Sequence, residues 1–217
     1  DYFRFIWDGK MMLEGIGPFQ YLPSEFIKIT SDSYYHYLYD NMNSPNYFSV
    51  YPPISQFVYA ISALQNNMLF SLIVIRMFLI GGDVLVFVYL RKLLKHFKKN
   101  ESLSLLYFLN PLIILEFSGN LHFEGLMIAF LLISIHFMLN VKYWKSALFL
   151  ALSIGVKLLP LMFIPLFFFL IKGKMRWLFA ILVGEFTIVQ FVPCVNLELL
   201  EKMMSSVNLY FQSFEFN

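Results

Sequence analysis

Residues 69–91 read LFSLIVIRMFLIGGDVLVFVYLR, an apolar run whose only charged residues before its end at Arg91 are Arg76 and Asp83. A helix of about 20 apolar residues crosses the hydrocarbon core of a bilayer, so this stretch predicts a membrane helix. The composition of the 217-residue chain agrees, because 59% of the residues are apolar and 14% are charged, whereas a soluble domain has roughly 25% charged residues. We therefore predict an all-α polytopic membrane protein and exclude a soluble enzyme, a nucleic-acid-binding protein and a disordered chain.

Further apolar stretches follow the first one. The six predicted membrane segments are 69–91, 102–118, 124–141, 146–158, 159–171 and 177–193. Residues 52–66 are apolar but too short to cross a bilayer. We expect them to form a re-entrant or interfacial helix that begins at Pro52 and Pro53, where proline is tolerated.

The basic residues indicate an orientation. Ten of the 16 basic residues lie in alternate loops between the six segments: Arg91, Lys92, Lys95, Lys98, Lys99, Lys142, Lys145, Lys172, Lys174 and Arg176. All ten then face one side, which the positive-inside rule makes cytoplasmic. Residues 1–51 become an extracytoplasmic loop with interfacial helices, and residues 194–217 become a second extracytoplasmic segment. Because the chain starts at Asp1 without methionine and stops at Asn217 in an aromatic segment, we expect a fragment of one transmembrane domain.

The opening residues, DYFRFIWDG, contain two carboxylates seven positions apart, Asp1 and Asp8. On a helix both would lie on one face, about 10.5 Å apart along the axis. One could then act as a base while the other orients it. The alternative is a solvated loop whose acids keep it in water.

The loop continues through a Gly/Pro turn and closes with Tyr-Pro-Pro. In this order it resembles the first extracytoplasmic loop of the GT-C superfamily of membrane glycosyltransferases, and it is most similar to the bacterial mannosyltransferase-like branch. The matching positions are Asp1, Arg4, Phe5, Trp7, Asp8, Gly9, Gly15, Pro18, Phe19, Tyr51, Pro52 and Pro53. The branch prefers tyrosine at positions 5 and 19. The aromatic tail around Glu215 is also similar to that branch.

This resemblance implies a GT-C-like transmembrane helix bundle with hexosyltransferase activity and mannose as the expected sugar. The donor would be a polyprenyl-phosphate sugar and the acceptor a lipid or glycan. The active site would face outward from a bacterial inner membrane. No cofactor or metal ion is expected, because cationic side chains can balance the charge of a lipid monophosphate leaving group.

Under this hypothesis the loop residues have defined roles. Asp1 is the expected general base, and Asp8 assists it by orientation. Arg4 is expected to bind the donor phosphate, while Trp7 and Tyr51 stack on the sugar or line its entry. Glu215, in the tail, is a further candidate for the site.

A second set of polar residues, here called the polar corner, lies between two predicted spans on the same side as Asp1. The polar corner consists of Glu116, Asn120, His122 and Glu124. This corner could bind the acceptor or a phosphate, with His122 available for proton transfer. Ordinary polar residues at a membrane interface are the alternative. His122 and Glu124 could also be half of a metal site, but no third ligand is near in sequence.

Three charges lie inside or at the end of predicted spans. Lys157 precedes Pro160 at an outer end, where it could neutralise a lipid phosphate or extend its ammonium to water. Arg76 and Asp83 are seven residues apart and share a helix face, so we expect a mutual or inter-helix pair that stabilises packing. Phosphate binding by Arg76 is the alternative.

Two other functions fit this composition. A secondary transporter would use Arg76, Asp83 and Glu185 as coupling charges, although no internal repeat is evident. A non-catalytic membrane subunit would not depend on Asp1 or His122. For the enzyme, we expect five side chains to face one outward-facing cavity near the membrane surface: Asp1, Asp8, His122, Glu124 and Lys157.

Overall fold

The computed structural model describes residues 1–192. Within these residues the chain forms helices and turns and no β-strand, so the all-helical fold is confirmed for this part. The predicted segment 194–217, which includes Glu215, lies outside the described residues. The described residues divide into two compact units, one that contains Asp1–Val74 and one that contains Ile75–Gln190.

The first unit begins with four short helices. They are α1 (Tyr2–Leu13), α2 (Pro23–Phe26), α3 (Ser33–Asn41) and α4 (Pro53–Ser62). The side chain of Asp32 caps α3 by accepting a hydrogen bond from the N–H of Tyr34 at 2.7 Å, and Pro52 precedes α4 in an extended conformation. Carboxylate caps and a proline at the first helical position both favour helix starts at these places. Helices therefore occur in the opening loop and within residues 52–66, and their interfacial or re-entrant placement stays a prediction.

Helices α1 and α4 approach each other very closely at Gly9. An added Cβ at this position would lie 2.1 Å from the carbonyl oxygen of Tyr59, so a glycine is required for this crossing. The rings of Phe5 and Tyr59 stack beside it with centroids 4.6 Å apart. One buried cluster fills the interior of this unit: Ile6, Trp7, Met11, Phe26, Tyr35, Leu38, Met42 and Ala63.

Helix α5 (Met68–His96) is the longest helix, and the boundary between the two units falls within it. The second unit continues with α6 (Ser104–Phe108), α7 (Pro111–Ile113), a π-helical turn (Ile114–Gly119), α8 (Glu124–Leu139), α9 (Tyr143–Val156), α10 (Ile164–Leu170) and α11 (Met175–Phe191). Short 3₁₀ turns occupy Glu101–Leu103 and Leu159–Phe163.

Helices α8 and α9 form an antiparallel hairpin that buried serines link. The hydroxyl of Ser134 donates to the carbonyl of Ser146 at 2.7 Å, and that of Ser153 donates to the carbonyl of Met127 at 2.8 Å. Small hydroxyl residues of this kind let helix backbones approach in membrane proteins. One buried apolar cluster of this unit contains Leu131, Ala147, Leu150, Ile154, Phe167, Ile171, Phe179 and Val183.

Among the described helices, α5 alone is long and apolar enough to cross a membrane. The stretch Glu101–Phe108 with Pro111–Gly119 also qualifies if it is one span, although it bends by 48° at its break. The helices Glu124–Leu139, Tyr143–Val156 and the 159–170 stretch are apolar but shorter. The predicted topology of six spans stays a prediction.

Candidate active site

Asp1 lies at the N-terminus of α1 with an exposed side chain. Its Oδ1 accepts a hydrogen bond from the N–H of Arg4 at 3.3 Å, so the carboxylate caps the helix. Its Oδ2 accepts from the N–H of Asn43 at 2.7 Å and from the hydroxyl of Ser44 at 3.2 Å. The carboxylate therefore has a fixed position and remains open to solvent.

Asp8 lies seven residues, or about two helical turns, further along α1 and is fully buried. Its Oδ1 accepts from Nε of Arg4 at 2.8 Å, and its Oδ2 accepts from the hydroxyl of Ser49 at 2.6 Å and from Nε2 of Gln56 at 3.3 Å. The amide of Gln56 also donates to Ser49 at 2.7 Å. Three donors from three chain segments thus surround one carboxylate, which ties α1 to the 44–49 segment and to α4.

Arg4 connects the two acids. Besides its bond to Asp8, its Nη1 donates to the carbonyls of Ser44 at 2.9 Å and Tyr47 at 2.8 Å. Those bonds fix the segment whose N–H and hydroxyl hold Asp1. The guanidinium is only 3% exposed, and its buried Nη2 has no hydrogen-bond partner within residues 1–192. Contact with a phosphate would require that nitrogen to become accessible, so the phosphate role of Arg4 stays a prediction.

The two aromatic candidates have different environments. Trp7 is fully buried, with Tyr35 at 4.7 Å and Phe26 at 5.9 Å between ring centroids. Tyr51 is partly exposed and meets the ring of Phe5 edge-on at 5.1 Å. Sugar stacking by Trp7 and Tyr51 remains a prediction, and Tyr51 has the more accessible ring.

The sequence analysis did not predict an ion network around the buried side chain of Lys10. The Lys10 ammonium lies 2.9 Å from Oε1 of Glu14 and 2.9 Å from Oδ2 of Asp32, and it sits 4.8 Å above the ring of Tyr35. The hydroxyl of Tyr35 donates to Glu14 at 3.1 Å. The spacing of Lys10 and Glu14, four residues apart, was the available sequence signal.

The contacts of this network shift the pKa values of Lys10, Asp32 and Tyr35. The hydrogen bond from Lys10 lowers the pKa of Asp32 and outweighs the opposing effect of burial. Burial lowers the pKa of Lys10, but its bonds to Asp32 and Glu14 together raise that pKa above its usual value. Burial, together with the charge of Glu14, raises the pKa of the Tyr35 hydroxyl. Lys10 and Asp32 are therefore both charged at neutral pH, and their ion pair holds α1 against α3.

Asp83 is the main polar contact of α5 within the second unit. It accepts hydrogen bonds from the hydroxyls of Tyr107 and Ser118, each at 3.2 Å. An added Cβ at Gly125 would lie 2.7 Å from Asp83 Oδ1, so the carboxylate also abuts the start of α8. The expected mutual pair with Arg76 is wrong: Arg76 is exposed and forms no ion pair among the described residues, and the inter-helix contacts of Asp83 are to neutral hydroxyls. Phosphate binding by Arg76 remains a prediction.

Three residues of the polar corner, Glu116, Asn120 and His122, contact one another, and the role of the corner stays a prediction. Nδ1 of His122 lies 3.4 Å from Oε2 of Glu116, and Nδ2 of Asn120 donates to Oε1 of the same carboxylate at 3.3 Å. Glu116 belongs to the π-helical turn, a local geometry that often marks functional sites. The buried Leu121 has a φ of 59°, a left-handed conformation that is strained for a leucine, and it turns the chain so that His122 is exposed.

Lys157 and Glu124 form an ion pair beside this corner. Half of the Lys157 side chain is exposed, so its ammonium remains accessible from solvent. An anionic ligand could share or displace Glu124 there. Within residues 1–192, no group of three or more His, Cys, Asp or Glu side chains could hold a metal ion.

The comparisons with known proteins extend this description. A family model described as "Alpha-(1->6)-mannopyranosyltransferase, N-terminal domain", the MptA/B family, matches residues 1–173. The chain belongs to this family. The match includes α1 to α10, so every candidate residue for sugar transfer discussed above except Glu215 lies within it. No curated protein and no solved structure matches the chain.

Family membership confirms the resemblance to mannosyltransferases and supports glycosyltransferase activity. An enzyme of this class requires a sugar donor and an acceptor. The first unit supplies an ordered, exposed carboxylate, and the second supplies an accessible ammonium beside an imidazole–carboxylate pair. These groups are suited to accept a proton and to bind an anion, respectively.

Proposed function

We propose that the chain is part of a multi-pass GT-C glycosyltransferase. It transfers a mannose-like hexose from a polyprenyl-phosphate sugar to a lipid or glycan acceptor, at the outer face of a bacterial inner membrane. Family membership supports the transfer of a sugar. The observation that carries the proposal is the exposed Asp1 carboxylate, which a buried Arg4–Asp8 pair holds in place.

Asp1 is the better general base of the two acids. A base must reach the acceptor hydroxyl, and the carboxylate of Asp1 is exposed while that of Asp8 is enclosed by three donors. An aspartate carboxylate is ionised at neutral pH, so it can accept a proton without special tuning. Asp8 acts through Arg4 and is therefore a positioning residue.

The proposed reaction is an inverting displacement. The acceptor oxygen attacks the anomeric carbon and forms the new glycosidic bond. Its proton passes to the carboxylate of Asp1, and the bond between the anomeric carbon and the phosphate oxygen breaks. Polyprenyl phosphate leaves with the electron pair of that bond, so it needs cations to stabilise its charge.

Lys157 is the proposed cation for the leaving phosphate. In the structure its ammonium is held by Glu124, which fixes its position without enclosing it. A phosphate group offers several charged oxygens and can compete with one carboxylate for that ammonium. His122 beside Glu116 can donate a further hydrogen bond to the donor or acceptor.

The apolar surface of the helices supports the membrane placement. Along α5 the exposed large apolar side chains recur every three or four residues: Leu69, Ile73, Met77, Ile80, Val84 and Val88. Such a continuous stripe is unfavourable in water and compatible with lipid. In the predicted six-span topology, the one-sided placement of the basic residues supports an outward orientation of the 1–51 loop.

A donor-choice assay tests the proposal. The full-length protein, reconstituted in lipid nanodiscs, is supplied with radiolabelled mannose either as the polyprenyl-phosphate sugar or as the nucleotide sugar. We expect transfer to an extracted lipid or glycan acceptor from the polyprenyl donor alone. Transfer only from the nucleotide sugar would refute the proposed donor, and no transfer from either would favour the transporter or subunit hypotheses.

A further inference from the structure

Two basic segments of the second unit meet at the ring of Tyr89. The Lys92 ammonium lies 4.2 Å above this ring, and the imidazole of His136 contacts it edge-on with centroids 5.4 Å apart. His136 belongs to α8, whereas Lys92 and Tyr89 belong to α5. A cation resting on an aromatic face is held in place without an acidic partner.

The main chain brings Lys142 near His136, because the N–H of Lys142 donates to the carbonyl of Phe137 at 2.9 Å. Lys142 follows α8 in the turn to α9, so the end of α5 and the α8–α9 turn contribute to a single cationic cluster. We define the Tyr89 cluster as Tyr89, Lys92, His96, His136 and Lys142. Neither of the surrounding stretches, 84–100 and 125–157, contains an aspartate or glutamate.

The Tyr89 cluster therefore lacks acidic partners from its own segments. The nearest acid in sequence beyond α5 is Glu101, and it pairs with Arg91 at 3.0 Å. Exposed apolar side chains border the cluster, because Val141 is 69% and Trp144 is 56% exposed. Positive charge beside exposed apolar and aromatic groups is the arrangement that binds anionic headgroups at a membrane surface.

We infer that the Tyr89 cluster is a binding site for the phosphate headgroup of an anionic phospholipid, separate from the sugar-transfer site. Lys92 and Lys142 bind the phosphate oxygens from two sides, and Val141 and Trp144 contact the acyl region. The protein would thus carry a bound anionic lipid at its basic side, in addition to the lipid-linked donor of the proposed reaction.

Native mass spectrometry of the full-length protein in detergent tests this site. Phosphatidylglycerol is titrated against phosphatidylcholine of the same acyl chains, and inorganic phosphate is added in a separate arm. We expect phosphatidylglycerol adducts to exceed phosphatidylcholine adducts, with little competition by millimolar phosphate. Competition by free phosphate at that level would show a general anion site instead and would overturn the assignment to a lipid.

Paired variants with the same charge change locate the site. Lys92→Gln with Lys142→Gln should weaken phosphatidylglycerol binding roughly 30-fold, because each lysine near a headgroup contributes a factor of roughly five. The control, Lys99→Gln with Lys172→Gln, removes two exposed lysines outside the cluster and should change binding by less than about threefold. Equal losses in both double variants would show diffuse charge attraction and refute the site. Circular dichroism and unchanged sugar transfer in both variants would show that neither has unfolded.

Discussion

The buried Arg4–Asp8 pair gives the structural prediction with the largest expected effect. Asp8→Asn keeps the size of the side chain and removes its charge. The guanidinium of Arg4, only 3% exposed, would then lose its counter-ion while it stays buried. Removing one partner of a buried ion pair costs about 3–5 kcal/mol. For a protein of this size, each kcal/mol lowers Tm by about 2–4 °C, so we expect a fall of roughly 6–20 °C.

Thermal unfolding in detergent, followed by the fluorescence of the buried Trp7, measures this effect. The matched control is Asp40→Asn, which removes the same charge at an exposed position of α3 and should change Tm by less than about 2 °C. The double variant Arg4→Met with Asp8→Leu should cost less than the two single changes combined, since no buried charge remains unpaired. An Asp8→Asn protein with the same Tm as the wild type would refute the structural role of the Arg4–Asp8 pair.

Three further predictions concern the remaining contacts. Gly9→Ala should lower stability by at least about 1–3 kcal/mol, because its Cβ would overlap a carbonyl of α4 and force the helices apart. Asp32→Asn should flatten the acid side of the stability profile: the lowered pKa of Asp32 means that its contribution is present above about pH 4 and lost as the pH falls through its folded-state value. Lys10, whose pKa is raised, keeps its contribution until alkaline pH. Lys157→Gln should raise the KM for the lipid donor roughly 10- to 100-fold, with a smaller effect on kcat.

Each of these predictions has a control. Gly81→Ala, at a helix position with open space around it, should not lower Tm. The Tm difference between wild type and Asp32→Asn should be largest at neutral pH and vanish once the pH falls below the lowered, folded-state pKa of Asp32; a constant difference would contradict the ion network. Lys99→Gln should leave KM unchanged, and an equal rise in KM for both lysine variants would refute a specific role for Lys157.

The sequence predicts the elements with regular apolar patterns well. Helix α5 (Met68–His96) contains the whole predicted segment 69–91, and α4 (Pro53–Ser62) lies within residues 52–66. The segment 102–118 is less regular than predicted, because Pro111 and its capping residue Asn110 break the helix and a π-helical turn follows. Hydropathy detects this stretch as one apolar run, but proline chemistry determines its path.

The sequence identifies the candidate residues of the site but not their hydrogen-bond partners. The spacing of Asp1 and Asp8 indicates a shared helix, yet it contains no information about the 43–49 segment that binds both acids. The same limit explains Asp83, whose expected partner Arg76 lies on its own helix while its real partners come from elsewhere in the chain. Long-range hydrogen bonds leave no periodic signal in one sequence.

The central claim is that Asp1 is the general base of a sugar transfer. Asp1→Asn in the full-length protein tests it most directly, with any acid just upstream of Asp1 changed in parallel. Asparagine is as good a helix cap as aspartate, so folding should be kept while basicity is lost. We predict a fall in kcat of roughly 10²–10⁴-fold with donor binding largely kept, and a smaller fall for Asp8→Asn. Normal turnover by Asp1→Asn together with an inactive but folded Asp8→Asn would contradict this account and make Asp8 the base.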